Sequence, residues 1–140
     1  MSGGNVVPVI YKIASDRRTV RTECTGSVTL EEVIRHFQTL QQDPRCPNHL
    51  DVLLDLTRLD SLPETSELSR VVSEIRSVRG RVRFGACAIV ANREALVGMM
   101  RVFEALAEEC FRVTHTFREV HEAEAWLISQ QLSTDNESNA

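Results

Sequence analysis

The sequence lacks the features that would assign it to several broad classes of protein. Its 140 residues carry a formal net charge of −4, so no overall positive field attracts nucleic acid or anionic lipid. No apolar run is long enough to span a bilayer. The N-terminus, MSGGNVVPVIYK, has no basic start followed by the apolar stretch of a signal peptide. We therefore expect a cytoplasmic protein that neither binds nucleic acid nor contains an integral membrane segment.

Cysteine and histidine are scarce and poorly placed for metal binding. The four cysteines form no C-x-x-C pair, and three of them fall in apolar patterns, where a free cysteine acts as a small hydrophobe. Cys46 and His49 have a C-x-x-H spacing, but a zinc site needs two further ligands and no matching pair lies nearby. His115 and His121 have no metal spacing, and His36 is interpreted as a surface or boundary residue. The sequence predicts that the protein resides in a reducing cellular compartment and has no metal site and no cofactor.

Catalytic motifs are missing as well. The sequence contains no Gly-rich phosphate loop and neither a G-x-S-x-G nor a His-Asp-Ser pattern. Asp55, near the end of an apolar run, could act as a base, but catalysis needs a second group with a defined role. An aspartate that bonds the amides of a turn is the simpler explanation. We predict a non-enzymatic protein and keep an enzyme that uses Asp55 as an alternative.

What the sequence does contain is an alternation of strands and helices. Period-two patterns and short unbroken apolar runs predict strands, and apolar stripes at 3.6-residue spacing predict helices. After an N-terminal hairpin the two kinds of element alternate, which favours right-handed crossovers and a mostly parallel sheet. The strands are predicted at 6–14, 19–28, 50–56, 82–91 and 113–117. The helices are predicted after Thr29, up to Gly80, at 93–111 and at about 120–132.

The order β-β-α-β-α-β-α-β-α predicts one α/β domain with five strands and four helices. Strand 50–56 is almost continuously apolar, which is typical of a strand covered on both faces and therefore inside the sheet. Thr29 and Glu32 have the spacing of a helix capping box, and Asn92 is predicted to cap the third helix. We expect the domain to span 5–132, with a mobile tail at 1–4 and a disordered polar tail at 133–140.

This order, with LDVLLDLTRL in the third-strand position, resembles the STAS fold of anti-sigma-factor antagonists, and more closely the SpoIIAA-like proteins that are grouped as STAS/CRAL-TRIO-like. The stretches that carry the resemblance cover about half of the chain and lie at 11–33, 51–68 and 83–109. The resemblance implies a five-stranded, mostly parallel sheet with an N-terminal antiparallel hairpin, and a regulatory module that binds another protein. It also implies, as an alternative, a carrier or sensor of a small lipid-like ligand.

One motif of the antagonist STAS domains is not kept in this sequence. In those domains the loop after the third strand carries D-S-[SG]-G, whose serine is phosphorylated. Asp60-Ser61 is the matching dipeptide, but it lies too close to Asp55 and no glycine follows it. The position that aligns with the phosphorylated serine is nearer Glu64. A phosphorylation switch therefore does not carry over from the resemblance.

The 57–66 loop still has the chemistry of a binding edge. It leads into a helix N-terminus, where free backbone N–H groups favour negative charge, and parallel sheets bind ligands at the carboxyl ends of their strands. Helix capping by Ser61 with Glu64, or by Thr65, explains the same residue types. We predict a loop that contacts a partner or an anion, with Ser61, Thr65 and Ser66 as candidate phospho-acceptors and with Asp55, Asp60 and Glu64 as its acids.

The third helix is apolar over more than half of its circumference. One side of such a helix packs on the sheet, and the remaining small side chains either contact a neighbouring helix or form a further surface. We predict a homodimer interface or a lid over an apolar ligand, since methionine suits adaptable surfaces. The residues of this predicted surface are Ala95, Gly98, Met99, Met100, Val102, Phe103 and Ala105.

Overall fold

The computed structural model describes residues 8–14, 16, 18–77 and 80–138, so the predicted tail at 1–4 lies outside the described residues. The predicted order of elements is confirmed. The strands are β1 (Val9–Ala14), β2 (Thr19–Gly26), β3 (His49–Leu59), β4 (Arg83–Val90) and β5 (Val113–Phe117). The helices are α1 (Leu30–Gln42), α2 (Thr65–Ser77), α3 (Glu94–Leu106) and α4 (Val120–Ser138).

The five strands form one sheet in the order β1-β2-β3-β4-β5. β1 pairs antiparallel with β2, and all other neighbouring pairs are parallel. β3 therefore occupies the centre of the sheet, as its unbroken apolar run predicts. The α/β fold class with an N-terminal antiparallel hairpin is confirmed.

The unreversed strand order decides where the helices lie. Each parallel crossover moves one strand further in the same direction, so right-handed connections place α1, α2 and α3 together on one face. The side chains of these three helices pack with the sheet in the larger of two hydrophobic clusters. α4 covers the opposite face, where Ala123 and Leu127 pack with Leu53 and Ala88 in the smaller cluster. We call these two faces the helix-covered face and the α4 face.

Local sequence signals predict some of the helix termini correctly and others wrongly. The predicted capping box is present, because Thr29 and Glu32 each accept a hydrogen bond from the other's backbone N–H. The predicted cap at Asn92 is wrong: α3 begins after Arg93, whose side chain makes no cap hydrogen bond. α4 runs to Ser138, beyond its predicted end near residue 132. The division into one domain with two tails stays a prediction.

A partly buried side-chain hydrogen bond joins β3 to β4. The Asp51 carboxylate accepts the Ala86 backbone N–H at 2.8 Å and a Gln131 side-chain N–H at 3.0 Å. The ladder shifts register at this point, so the carboxylate replaces a backbone acceptor. Gly85 is required beside it, because a Cβ at that position would collide with the Asp51 carboxylate.

Candidate functional site

An apolar cavity of about 150 Å³ lies between the sheet and the three helices of the helix-covered face. Its presence explains the exposure of Leu54, which lies in the middle of the central strand on this face and is nevertheless only half-buried. Closely packed protein interiors contain few voids larger than a water molecule. The helical part of the cavity wall includes Val33, Phe37, Leu68, Val71, Met100 and Phe103.

The cavity opens where its exposed lining residues gather. Leu62 is 48% exposed, Thr29 is exposed, and Leu30 and Pro63 are half-buried. These residues belong to the β2–α1 connection, the first turn of α1 and the β3–α2 loop, whereas the lining side chains from β4 and α3 are buried. The mouth therefore lies at the carboxyl ends of β2 and β3. Open α/β sheets usually bind ligands in a crevice at the point where the strand order reverses. The strand order of this sheet does not reverse, and the cavity opens instead between the sheet and the helices of the helix-covered face.

The loop at the mouth is shorter than the sequence predicts. β3 continues to Leu59 and α2 begins at Thr65, so the predicted loop at 57–66 is reduced to residues 60–64. Thr57 belongs to the strand, and Ser66 belongs to the first turn of the helix. The difference arises because β2 keeps pairing with β3 up to the last residue of both strands.

Three hydrogen bonds tie the 60–64 loop to its surroundings. The Asp60 backbone N–H donates to the Gly26 carbonyl oxygen at 2.9 Å. The Val28 backbone N–H donates to Ser61 Oγ at 3.4 Å, and the Arg93 guanidinium donates to the Ser61 carbonyl oxygen at 3.1 Å. The loop is thus fastened to the β2–α1 connection on one side and to the start of α3 on the other.

The predicted cap of α2 is replaced by another. The Glu67 carboxylate accepts the Glu64 backbone N–H at 3.0 Å, which satisfies one of the donors at the start of the helix. Ser61 points its hydroxyl at the β2–α1 connection instead, and it is half-buried. Thr65 and Ser66 are exposed. The hydroxyl groups of these last two residues are therefore available on the surface, beside the cavity mouth.

Two buried polar side chains interrupt the apolar wall. Thr22 Oγ1 and His36 Nε2 are 2.9 Å apart, and both residues line the cavity. Burial lowers the pKa of His36 to about 4, so the imidazole is neutral near pH 7. Its interpretation as a surface or boundary residue is wrong, since His36 is buried. The sequence does contain the signal: His36 follows Val33 by three residues and precedes Leu40 by four, which places it on the apolar face of α1.

Two cysteine thiols also face the cavity. Burial is the main cause that raises the pKa of Cys24 to about 12, and burial also raises the pKa of Cys87. The thiolate is the nucleophilic form of cysteine. These side chains therefore act as small apolar groups and not as nucleophiles.

Asp55 lies on the α4 face, opposite the cavity. Its Oδ1 accepts the Thr57 backbone N–H at 3.0 Å and the Thr57 hydroxyl at 2.7 Å. Its Oδ2 lies 3.5 Å from the Arg21 guanidinium, which also reaches Glu124 at 3.3 Å. The carboxylate is thus occupied by its own strand and by one arginine, and the sheet separates it from any molecule in the cavity.

The other sequence candidates do not converge on a metal site. Cys46 is buried and His49 is exposed, and the Cys46 carbonyl oxygen accepts a hydrogen bond from Arg81. His115 is exposed and packs against Phe117, with ring centroids 4.7 Å apart. Within residues 8–138, as far as they are described, no three metal-ligating side chains are grouped to hold an ion.

The predicted surface of α3 divides into two parts. Met100 and Phe103 are buried and line the cavity, and their role as a lid over an apolar ligand stays a prediction. Met99 is half-buried. The remaining small residues are exposed and lie at spacings of three and four along one side of the helix: Ala95, Gly98, Val102 and Ala105. No neighbouring helix of the described chain covers them.

The fold is similar to that of an uncharacterized protein of the DUF3478 family from Shewanella loihica PV-4, whose crystal structure is described as having a SpoIIAA-like fold. The TM-score is 0.60 and the sequence identity is 18%, over 91% of this chain and 99% of that chain. At this identity the likeness shows the fold alone, and the expected SpoIIAA-like fold is confirmed. No family model matches the chain, and no curated protein sequence matches it.

Among the described residues, no helix is long and apolar enough to cross a membrane.

Proposed function

We propose that this protein is a non-enzymatic binding module of the STAS type that holds a small apolar molecule in the cavity. The observation that supports this function is the cavity itself, since the fold leaves a ring-sized apolar space that opens at one end. A cavity of about 150 Å³ lined by apolar side chains is known to stay dry and to bind benzene. A molecule of about one six-membered ring therefore matches its size.

The chemistry of the cavity favours binding over catalysis. A general base needs a pKa near the working pH, whereas the neutral His36, with a pKa of about 4, is a weak base. The neighbouring hydroxyl of Thr22 and the thiols of Cys24 and Cys87 are buried and uncharged in this surrounding. Asp55, the base of the enzyme alternative, faces away from the cavity. The side chains that line the cavity would orient a bound molecule without reacting with it.

A regulatory role through a protein partner is the second part of the proposal. The exposed Leu62 and the half-buried Pro63 form both the cavity mouth and the surface of the 60–64 loop. Asp60, Thr65 and Ser66 lie exposed beside them. A bound molecule that changes the position of Leu62 would change the surface that a partner contacts. Phosphorylation, homodimerisation and a cytoplasmic location remain parts of this proposal.

The binding function is tested by thermal unfolding in the presence of toluene, an uncharged ring that matches the cavity. Saturation to ten times the dissociation constant stabilises the folded state by about 1.4 kcal/mol, which corresponds to a rise in Tm of roughly 3–6 °C for a domain of this size. Leu54→Trp places an indole ring in the space that toluene would occupy and should abolish the rise. Ile10→Trp is the matched control, because Ile10 is 46% exposed on the other face of the sheet.

Two results would contradict the proposal. One is a wild-type Tm that toluene leaves unchanged up to its solubility limit. The other is an equal rise in Tm in the Leu54→Trp variant, since this would place the bound toluene outside the cavity.

A further inference from the structure

The polar pair in the cavity wall has hydrogen-bonding capacity that the described part of the chain leaves unused. His36 Nε2 pairs with the Thr22 hydroxyl, but the described residues offer no partner to the second ring nitrogen, Nδ1. Among the described residues, Arg21 Nε is a side-chain atom that is fully buried and lacks a partner, and Nδ1 of His36 is not such an atom. Nδ1 is therefore not sealed off by surrounding protein atoms. The space that His36 lines is the cavity, so a molecule held there can supply the partner that Nδ1 lacks.

The hydroxyl of Thr22 decides what this nitrogen can do. A neutral imidazole has one nitrogen that donates and one that accepts. When the Thr22 hydroxyl donates to Nε2, Nδ1 carries the hydrogen and is a donor. When Nε2 carries the hydrogen and donates to the Thr22 oxygen, Nδ1 is an acceptor. Because a hydroxyl both donates and accepts, Thr22 stabilises either tautomer, and the pair can match either kind of ligand group.

We infer that His36, positioned by Thr22, forms a hydrogen bond with a single polar group on the molecule that occupies the cavity. The ligand class is an uncharged molecule of about one ring that carries one hydroxyl, carbonyl or ring N–H group. This inference rests on the proposed function, because it assigns the chemistry of the same cavity. It makes His36 a ligand-binding residue and Thr22 a positioning residue.

The remaining lining explains why the molecule should be uncharged. A buried ion needs a partner of opposite charge, since its desolvation is otherwise very costly. The charged side chain among the described lining residues is Glu67, which lies at the mouth, is half-buried and already accepts the Glu64 N–H. It disfavours an anion, and a cation would have only this carboxylate, already bonded to Glu64, as a counterion among the described lining residues.

Phenol and toluene are the matched probes for this inference, because they differ only by a hydroxyl in place of a methyl group. Dissociation constants for both are measured by NMR titration of the wild-type protein and of the Thr22→Val/His36→Phe double variant. The double variant replaces both polar partners with apolar side chains of similar shape, which is nearly neutral for stability in favourable cases. His36→Phe alone serves for the same comparison if the double variant does not fold.

We expect the variant to bind phenol about tenfold or more weakly than the wild type, because the phenol hydroxyl then lies buried without a partner. Its affinity for toluene should stay within about threefold. Thr22→Val alone should weaken phenol binding by less than the double variant does, since the imidazole remains. If wild type and variant show the same ratio of phenol to toluene affinity, the inference is overturned while the proposed function stands. If neither probe binds the wild-type protein, both are overturned.

Discussion

The same substitution at two adjacent residues should change stability in opposite directions. Leu53 and Leu54 are neighbours on β3 and point to opposite faces of the sheet. Leu53 is 2% exposed and packed among the residues of the smaller cluster, whereas Leu54 faces the cavity. We expect Leu53→Phe to destabilise the protein by about 1–3 kcal/mol, because the enlarged ring has no space. Leu54→Phe should instead be stabilising.

The size of the stabilisation follows from the cavity. Empty volume costs about 24 cal/mol per Å³ in a core, so a cavity of about 150 Å³ sets an upper limit of ~4 kcal/mol on what filling it could gain. A phenylalanine fills only a small part of that space. At ~0.8 kcal/mol for each additional buried CH₂ equivalent, we expect a gain of ~0.5–1 kcal/mol.

Urea unfolding followed by the fluorescence of the single tryptophan measures both variants. Trp126 is half-buried and packs against Phe117 with ring centroids 5.4 Å apart, so its emission reports on the folded state. The unfolding midpoints give the change in stability when the m-values are unchanged. If Leu54→Phe lowers the midpoint as much as Leu53→Phe does, the helix-covered face has no space to fill and the cavity is refuted.

Three further predictions concern the core, the loop and the buried histidine. Phe103→Ala should cost about 3–5 kcal/mol in chemical denaturation, because the ring is 6% exposed and lies in the core; a cost near zero with weakened self-association would assign it to an interface. Alanine at Ser61, Thr65 and Ser66 should leave stability within about 1 kcal/mol but weaken recovery of a partner that contacts the 60–64 loop and the start of α2; unchanged recovery in a pull-down would make these hydroxyls structural only. Since the pKa of His36 falls from 6.5 to about 4 on folding, the unfolded state binds more protons between these values, so stability should rise as pH rises from 4 to 6.5. His36→Phe should flatten that rise, and an unchanged slope would show that other groups produce it.

The sequence predicts the framework of the fold because its signals are local. The period-two pattern of β2, the unbroken apolar run of β3 and the Thr29–Glu32 capping box each depend on a few neighbouring residues. The position of His36 is also readable, since the spacing of the apolar face of α1 includes it. These signals placed every element and identified the central strand.

The candidate site was harder to predict because it depends on contacts between distant elements. The extension of β3 to Leu59 follows from pairing with β2, which no local pattern of β3 records. The cavity is the space that three helices leave when they pack on one face, and its volume depends on how they are spaced. The positions of the acids after the apolar run also depend on the three-dimensional structure. Asp55 bonds its own strand on the α4 face, whereas Asp60 and Glu64 lie in the 60–64 loop, whose Leu62 and Pro63 line the cavity.

The most direct test of the central claim is the position of a heavy-atom ring in the protein. Crystals soaked with bromobenzene would reveal the bromine by its anomalous signal. A ring-sized apolar cavity predicts a bromine peak among Leu54, Leu68 and Phe103, with the 60–64 loop at the open end. A well-ordered crystal that contains no bromine in this space, or bromine only at the protein surface, would contradict the claim that the protein binds small apolar molecules there.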